Sequence, residues 1–486
     1  MKYPSAICLK FAGEVPDPVR ARISYAFRVF AAIYGYRVVD GNAVQAEFCF
    51  VYGQVAPQER SSQSFFVPAR YRQRPAGAPP PTPVKHRYAD QDHYLFYGID
   101  EAAESPDWLG EIFEWISSST EMHIRERDSV GRIPFSGMIF EQYKISPRKP
   151  YATLLMAWME SSFRNGNTAQ ALPKAPSPIP GAAHIVVSSH DIDFYHVSQL
   201  STLKRLIKNL AIACLLYRSW SYFSSSARLI GELVKGRRVG DYLPAMLESL
   251  ENREFQSTLF VVPRGGHRRD PNYDLDDLLP YLDAAMKKGF PVSLHGSYGS
   301  IVNDGTLVRE TQILAKAVGR KPLGSRQHWL RFDRHQKLFD AIEEAGLLFD
   351  STLGFSEAVG FRNGASFAFP PYDFKNEKAR EFLEIPLVLM DVCLEETWRS
   401  LNENPQELAD EILSESRKWA WGGISVLWHN PMEPLPVTVE VNRVFWNCAK
   451  RQAQNAEKWM SAEQFLAQSL SRYQNAGLLP GVRLDA

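Results

Sequence analysis

The chain has 486 residues, 45% of them hydrophobic and 23% charged, with 55 Lys+Arg against 55 Asp+Glu. That length exceeds one ordinary core and predicts two domains, and the zero net charge excludes a global attraction to nucleic acid or to anionic membranes. The five cysteines lie far apart with no C-x-x-C pair, which argues against a zinc ribbon or a disulfide scaffold and fits a reducing, cytoplasmic setting.

Taken in chain order, "MKYPSAICLKFAGEVPDPVRARI" lacks the apolar core of a signal peptide. "RISYAFRVFAAIYGY" has helical apolar spacing, and "AEFCFVYG" reads as a strand. "RPAGAPPPTPVKHR" is a proline-rich connector that cannot hold regular hydrogen bonding. "PDWLGEIFEWISSSTEM" and "PYATLLMAWMESSF" read as helices, and "NTAQALPKAPSPIPGAAH" as a linker. The expected division is an α+β N-terminal domain over 1–180 and a second domain over 181–486.

Beyond the linker, β-rich runs alternate with amphipathic helices: "HIVVSSHD", "STLFVVPR", "FPVSLHGS", "HWLRFD", "LLFDSTLG", "LEIPLVLM" and "ISVLWHN". Strand and helix in alternation predict an α/β fold, a distorted (β/α) barrel of about seven strands. An open doubly wound sheet is the alternative, but no Gly-rich nucleotide turn accompanies it. A helical insert is expected at about 197–253. Within it "LIKNLAIACLLYRSWSYF" carries Lys208 and Arg218 and falls short of a membrane span. It reads as an amphipathic helix packed on the body, with a loose membrane-surface contact as the lesser reading.

In such a barrel, reacting groups collect at the C-terminal ends of the strands. Asp191, Asp193, His295, His328, Arg331, Asp350 and His429 pass that filter, and Arg362 sits in the loop after Asp350. Each alone has a bland explanation as a cap, a turn residue or a satisfied core histidine. Several apolar runs delivering Asp or His to one rim instead point to a mononuclear metal site with an acid–base pair. A catalytic divalent ion takes imidazole nitrogen and carboxylate oxygen and keeps a position open.

"SSHDIDF", "STLFVVP", "SLHGSYGS", "LRFDR" and "SVLWHN", in that order, resemble the motifs of the polysaccharide deacetylase superfamily, the carbohydrate esterases with a NodB-homology domain. "RQHWLRF", "FDSTLGF", "GFRNG" and "LEIPLVLMD" are similar to a bacterial subgroup in which an uncharacterised N-terminal domain precedes the deacetylase-like one. The resemblance implies a metal-dependent hydrolase removing an acetyl group from an N- or O-acetylated carbohydrate in glycan biosynthesis, with Zn²⁺ as the expected ion. It implies Asp191 as general base, Asp193 and His295 as metal ligands and His429 as general acid. Arg331, or failing that Arg362, would hold Asp191. The family's second metal histidine falls on Gly299; His328 is the expected substitute, with water completing the shell, or a weak or absent metal, as the alternatives. His190 and His196 stay outside candidates, and His267 and His335 read as exposed. Tyr298, Trp329 and Phe361 are expected to present a face to a sugar ring. The competing reading, motivated by Gly299, is a non-hydrolytic carbohydrate-binding or assembly protein; another C–N hydrolase is a third.

Overall fold

The computed structural model describes the chain except 1–4, 40–45, 57–62, 76, 102–103, 166–170, 194–198, 213, 215–219, 237–241, 252–254, 272, 333–334, 431–435 and 485–486. His196 and the side chain of His335 therefore lie outside the described residues.

Two parallel sheets organise the chain. The first joins β1 (Ala6–Ala12), β2 (Arg37–Val38), β3 (Phe48–Gly53) and β4 (Ser64–Pro68) in the order β2-β1-β3-β4. The apolar helix α1 (Asp17–Tyr34) crosses between β1 and β2 and ends at Gly35, whose φ of +82° suits only glycine without strain. Parallel pairing sets Cys8 opposite Cys49, and the two form a disulfide across a separation of 41 residues. The cysteines thus do not all stand apart, and the cysteine argument for a reducing compartment falls away, because strand register unites residues that spacing alone separates.

The second sheet carries β5 (His184–Ile192), β6 (Thr258–Val261), β7 (Val292–Gly296), β8 (Gly324–Gln327), β9 (Phe349–Asp350), β10 (Leu383–Glu384), β11 (Leu387–Met390), β12 (Gly422–Leu427) and β13 (Glu457–Met460). Their order is β10-β9-β8-β7-β6-β5-β12-β11, with β13 also on β5, and every pairing is parallel. A parallel bridge from Gly354, just past β9, to Leu387 of β11 joins the two edges into a distorted barrel. The central strands are buried on both faces, as expected for a parallel sheet covered by helices.

One hydrophobic core runs through both parts, from Ile7 to Val482. Polar contacts cross the same boundary: Trp421 donates its indole N–H to Ile33 O at 3.1 Å, and the Tyr25 hydroxyl donates to Pro370 O at 2.7 Å. Among the described residues no helix is long and apolar enough to cross a membrane.

Candidate active site and metal centre

The site forms where β5, β7, β8 and β12 end. Side chains alternate along an extended chain, so Ser189, Asp191 and Asp193 share one face. Asp191 is buried; its Oδ1 accepts from Arg326 Nη1 at 2.8 Å and its Oδ2 lies 3.5 Å from His295 Nε2. Burial alone would push this carboxyl up, but the Arg326 charge, followed by His295 and His429, holds it below the usual carboxylate range.

Asp193 sits at the meeting point. Its Oδ1 is 3.5 Å from His295 Nε2, and its Oδ2 is 3.6 Å from His328 Nε2 and 3.7 Å from His429 Nε2. Its backbone N–H donates to Asn430 Oδ1 at 3.0 Å, which fixes the chain as β5 ends. Burial opposes its ionisation, yet the three imidazoles hold Asp193 well below the usual range.

His295 and His429 are each oriented through the other nitrogen. His295 Nδ1–H donates to Arg326 O at 2.8 Å, and since a carbonyl only accepts, the Nε2 lone pair is left facing the carboxylates. His429 Nδ1–H donates to Asp391 Oδ1 at 2.8 Å, and the His429 backbone N–H reaches Asp391 Oδ2 at 2.9 Å. Burial lowers the His429 pKa, but Asp391 first and then Asp193 and Asp191 outweigh it, so the ring is pushed up to about 10. His328 Nδ1 faces Asp270 Oδ1 at 3.6 Å, an ion-pair separation. Against burial, Asp193 and Asp270 push His328 up to about 9. Asp270 is itself pinned by N–H groups of Tyr298 at 2.7 Å and of Gly266 and His267, each at 2.9 Å.

Asp193, His295 and His328 each offer one donor atom, all within 4.8 Å of one another. Asp193 Oδ1 is buried with no hydrogen-bond partner, which is costly unless something else satisfies it. One carboxylate and two imidazoles form the donor set of a three-ligand catalytic zinc site, so the residues fit a divalent ion.

The two glycines of "HGSYGS" do different things. A Cβ on Gly296 would meet Gln327 Oε1 at 2.2 Å, so a side chain there would have to push the Gln327 amide off its hydrogen bond from Ser300 Oγ. At Gly299 a Cβ would meet nothing nearer than Ser297 Oγ at 3.9 Å. A Cβ would fit there, and the candidate third donor, His328, directly follows the next strand, β8.

Three expectations need correction. The arginine on Asp191 is Arg326, neither Arg331 nor Arg362. Arg331 donates to Tyr298 O at 2.6 Å, and Arg362 forms a double ion pair with Glu121 at 2.9 and 2.7 Å. Strand alternation is the reason, since Arg326 lies two residues from His328 on the same face. Phe361 is fully buried and offers no face to a sugar. The Tyr298 ring is already engaged: His267 stacks on it at 4.2 Å and the Arg331 guanidinium lies over it at 4.3 Å.

Trp329 differs. It is 44% exposed, next to His328, with its ring 5.8 Å from that imidazole. Its φ of +65° is uncommon for a bulky residue, and Leu330 follows at +48°. Two bonds hold it there: its indole N–H donates to Arg269 O at 3.1 Å, and its carbonyl accepts from Arg132 Nη1 at 3.1 Å. Arg132 belongs to a turn of the N-terminal part, which also takes the Tyr298 hydroxyl on Val130 O at 3.1 Å.

Asp350 lies away from the cluster. It accepts from Ser325 Oγ at 2.6 Å and sits in register with Glu384. His190 is a buried structural residue bonded to Trp428 O at 2.8 Å. Arg326, Asp270, Asp391 and Asn430 were not among the expected site residues. Asp391 had a signal, since it ends the strand in "LEIPLVLMD".

No family model and no curated protein matches the chain. Several solved structures are similar to part of the chain. A protein provisionally described as a polysaccharide deacetylase from Mycobacterium smegmatis is 18% identical, covering 65% of this chain and 98% of its own, at a TM-score of 0.38. A CE4-family pseudoenzyme from Bacillus anthracis is 12% identical, over 64% and 81%, at 0.30. A point mutant of the peptidoglycan deacetylase PdaC from Bacillus subtilis is 10% identical, over 60% and 95%, at 0.28. Likeness at this level leaves activity to be argued from the site's own residues. The solved structures to which this chain is similar include a chain described as a polysaccharide deacetylase and a peptidoglycan deacetylase.

Proposed function

We propose that the chain is a metal-dependent hydrolase that removes an acetyl group from an N- or O-acetylated carbohydrate in glycan biosynthesis. The observation that carries this reading is one rim holding three things together: Asp191 held anionic by Arg326, the Asp193–His295–His328 donor set, and His429 held protonated by Asp391.

Asp193, His295 and His328 would hold the ion, with Zn²⁺ best suited to the donor set. When bound, such an ion polarises an acetyl carbonyl and acidifies water. Asp191 is the base: Arg326 occupies Oδ1 and leaves Oδ2 turned toward His295 and the donor set. There it accepts the proton of an attacking water. His429 is the acid: its Nε2–H points into the same space, and Asp391 on Nδ1 stabilises the imidazolium until the proton passes to the departing amine or alkoxide. Trp329 offers the exposed aromatic face for a pyranose ring.

Acetate release from N-acetylated oligosaccharides and O-acetylated sugars, after loading with Zn²⁺, Ni²⁺ or Co²⁺, tests the reading. Turnover that Asp191→Asn abolishes while metal stays bound supports it. Absence of acetate release from every such substrate with every such ion defeats it.

A further inference from the structure

The chain between β5 and β6 carries a helical pair that the catalytic reading does not use. Helix α2 (Gln199–Ile212) starts six residues after Asp193, and α3 (Trp220–Val234) packs back on it. Their inner faces meet at Leu206 and Leu229, with Ile230 and Leu233 against them, in a small cluster separate from the main core. The inward apolar residues are thereby accounted for.

The outward ones are not. Leu200, Ile207, Trp220 and Val234 are 61%, 55%, 77% and 80% exposed. On α2, Leu200, Lys204, Ile207 and Lys208 follow i, i+4, i+7, i+8 spacing and form one stripe. On α3, Trp220, Ala227, Arg228 and Val234, at i, i+7, i+8 and i+14, also share one face. No ion pair joins Lys204, Lys208 or Arg228 to an acid among the described residues. The charge bias is local. Residues 199–238 contain Lys204, Arg205, Lys208, Arg218, Arg228, Lys235, Arg237 and Arg238 against Glu232 alone, in a chain of zero net charge.

Apolar anchors interleaved with basic residues on one helical face suit an anionic lipid surface: side chains enter the acyl boundary while Lys and Arg meet the headgroups. Neither helix is long and apolar enough to span. A second copy would bring Lys204, Lys208 and Arg228 against the same basic face, and a nucleic acid would leave the four apolar side chains without a partner. We propose that the α2–α3 pair docks on the surface of an anionic lipid bilayer. The inference stands independently of the hydrolase reading.

The test is sedimentation of the full-length chain with vesicles of phosphatidylcholine alone or mixed with phosphatidylglycerol. The expected result is binding to the mixed vesicles only, weakening as salt is raised, because screening acts on the basic residues. Leu200→Ser with Ile207→Ser, and separately Lys204→Glu with Lys208→Glu and Arg228→Glu, should each weaken it about tenfold or more. These side chains are exposed, and unchanged circular dichroism checks the fold. The proposal is overturned by equal binding to neutral vesicles, by no binding to either kind, or by binding that both sets of variants retain. It is also overturned if the serine variants abolish a concentration-dependent dimer and leave lipid binding intact, or if the chain binds duplex DNA as tightly as the vesicles.

Discussion

Arg326 Nη1 donates to Asp191 Oδ1 at 2.8 Å with both side chains buried inside the barrel. The same guanidinium also donates to Ser189 Oγ, Ser351 O, Ser351 Oγ and Ser425 Oγ and lies over the Phe260 ring. It ties four strands or strand ends to the proposed base. Removing one partner of a buried pair strands the other charge, at a cost of about 3–5 kcal/mol. Arg326→Met should therefore lose stability on that scale in urea unfolding, and adding Asp191→Asn should recover part of it. A double variant no more stable than Arg326→Met would show that the pair is not the reason.

Asp391 should set the alkaline limit of turnover. Its carboxylate is the largest force raising the His429 pKa, and the proposed acid works only while protonated. Asp391→Asn should therefore move the alkaline limb of kcat against pH to lower pH. A limb unmoved by the substitution would take the acid role away from His429.

The turn around Arg132 should be felt in substrate affinity. Arg132 Nε donates to Asp128 Oδ2 at 2.8 Å, and Arg132 Nη1 reaches the Trp329 carbonyl, holding a residue whose backbone would otherwise relax. Arg132→Ala should raise KM for an N-acetylated oligosaccharide about tenfold, about 1.4 kcal/mol, with much less effect on kcat. Equal losses in kcat and in kcat/KM would instead place the effect on the chemical step.

Stability should carry a pH signature from Glu384. It is fully buried beside Asp350, and burial first, then the Asp350 charge, push its carboxyl well above the usual range. A raised carboxyl adds stability in full below its unfolded value of about 4.3, and loses it as pH rises toward the folded value. The stability of Glu384→Gln relative to the parent should thus grow between pH 5 and 7, by up to about 1.4 kcal/mol per pH unit. Parallel profiles for the two proteins would contradict this.

Much of this was legible in the sequence because two periodicities carry it. Alternation of apolar runs with helices gave the barrel, and the rule that reacting groups sit at strand ends picked out Asp191, Asp193, His295, His328 and His429, which the structure brings to one rim, along with Arg331 and Asp350, which it does not. The same alternation, pressed further, would have chosen Arg326 over Arg331, since only Arg326 shares a face with His328. Asp270 could not be read this way: it sits in a loop and is aimed by three backbone N–H groups, which leave no pattern in side-chain identity. Phe361 shows the opposite failure. An aromatic residue near a rim motif looks like a platform, and burial is decided by distant packing such as its N–H to Pro147 O at 2.8 Å. The Cys8–Cys49 pair was hidden for a related reason, because strand register rather than spacing unites it.

On the proposed function, Asp193, His295 and His328 bind a divalent ion, with His328 standing in for the side chain that Gly299 lacks. The most direct measurement is the zinc content of the parent and of His328→Ala after loading and exhaustive dialysis. The expected result is about one zinc ion per chain in the parent and its loss from the variant, because one of three protein ligands is gone. Equal zinc retained by both proteins would contradict it.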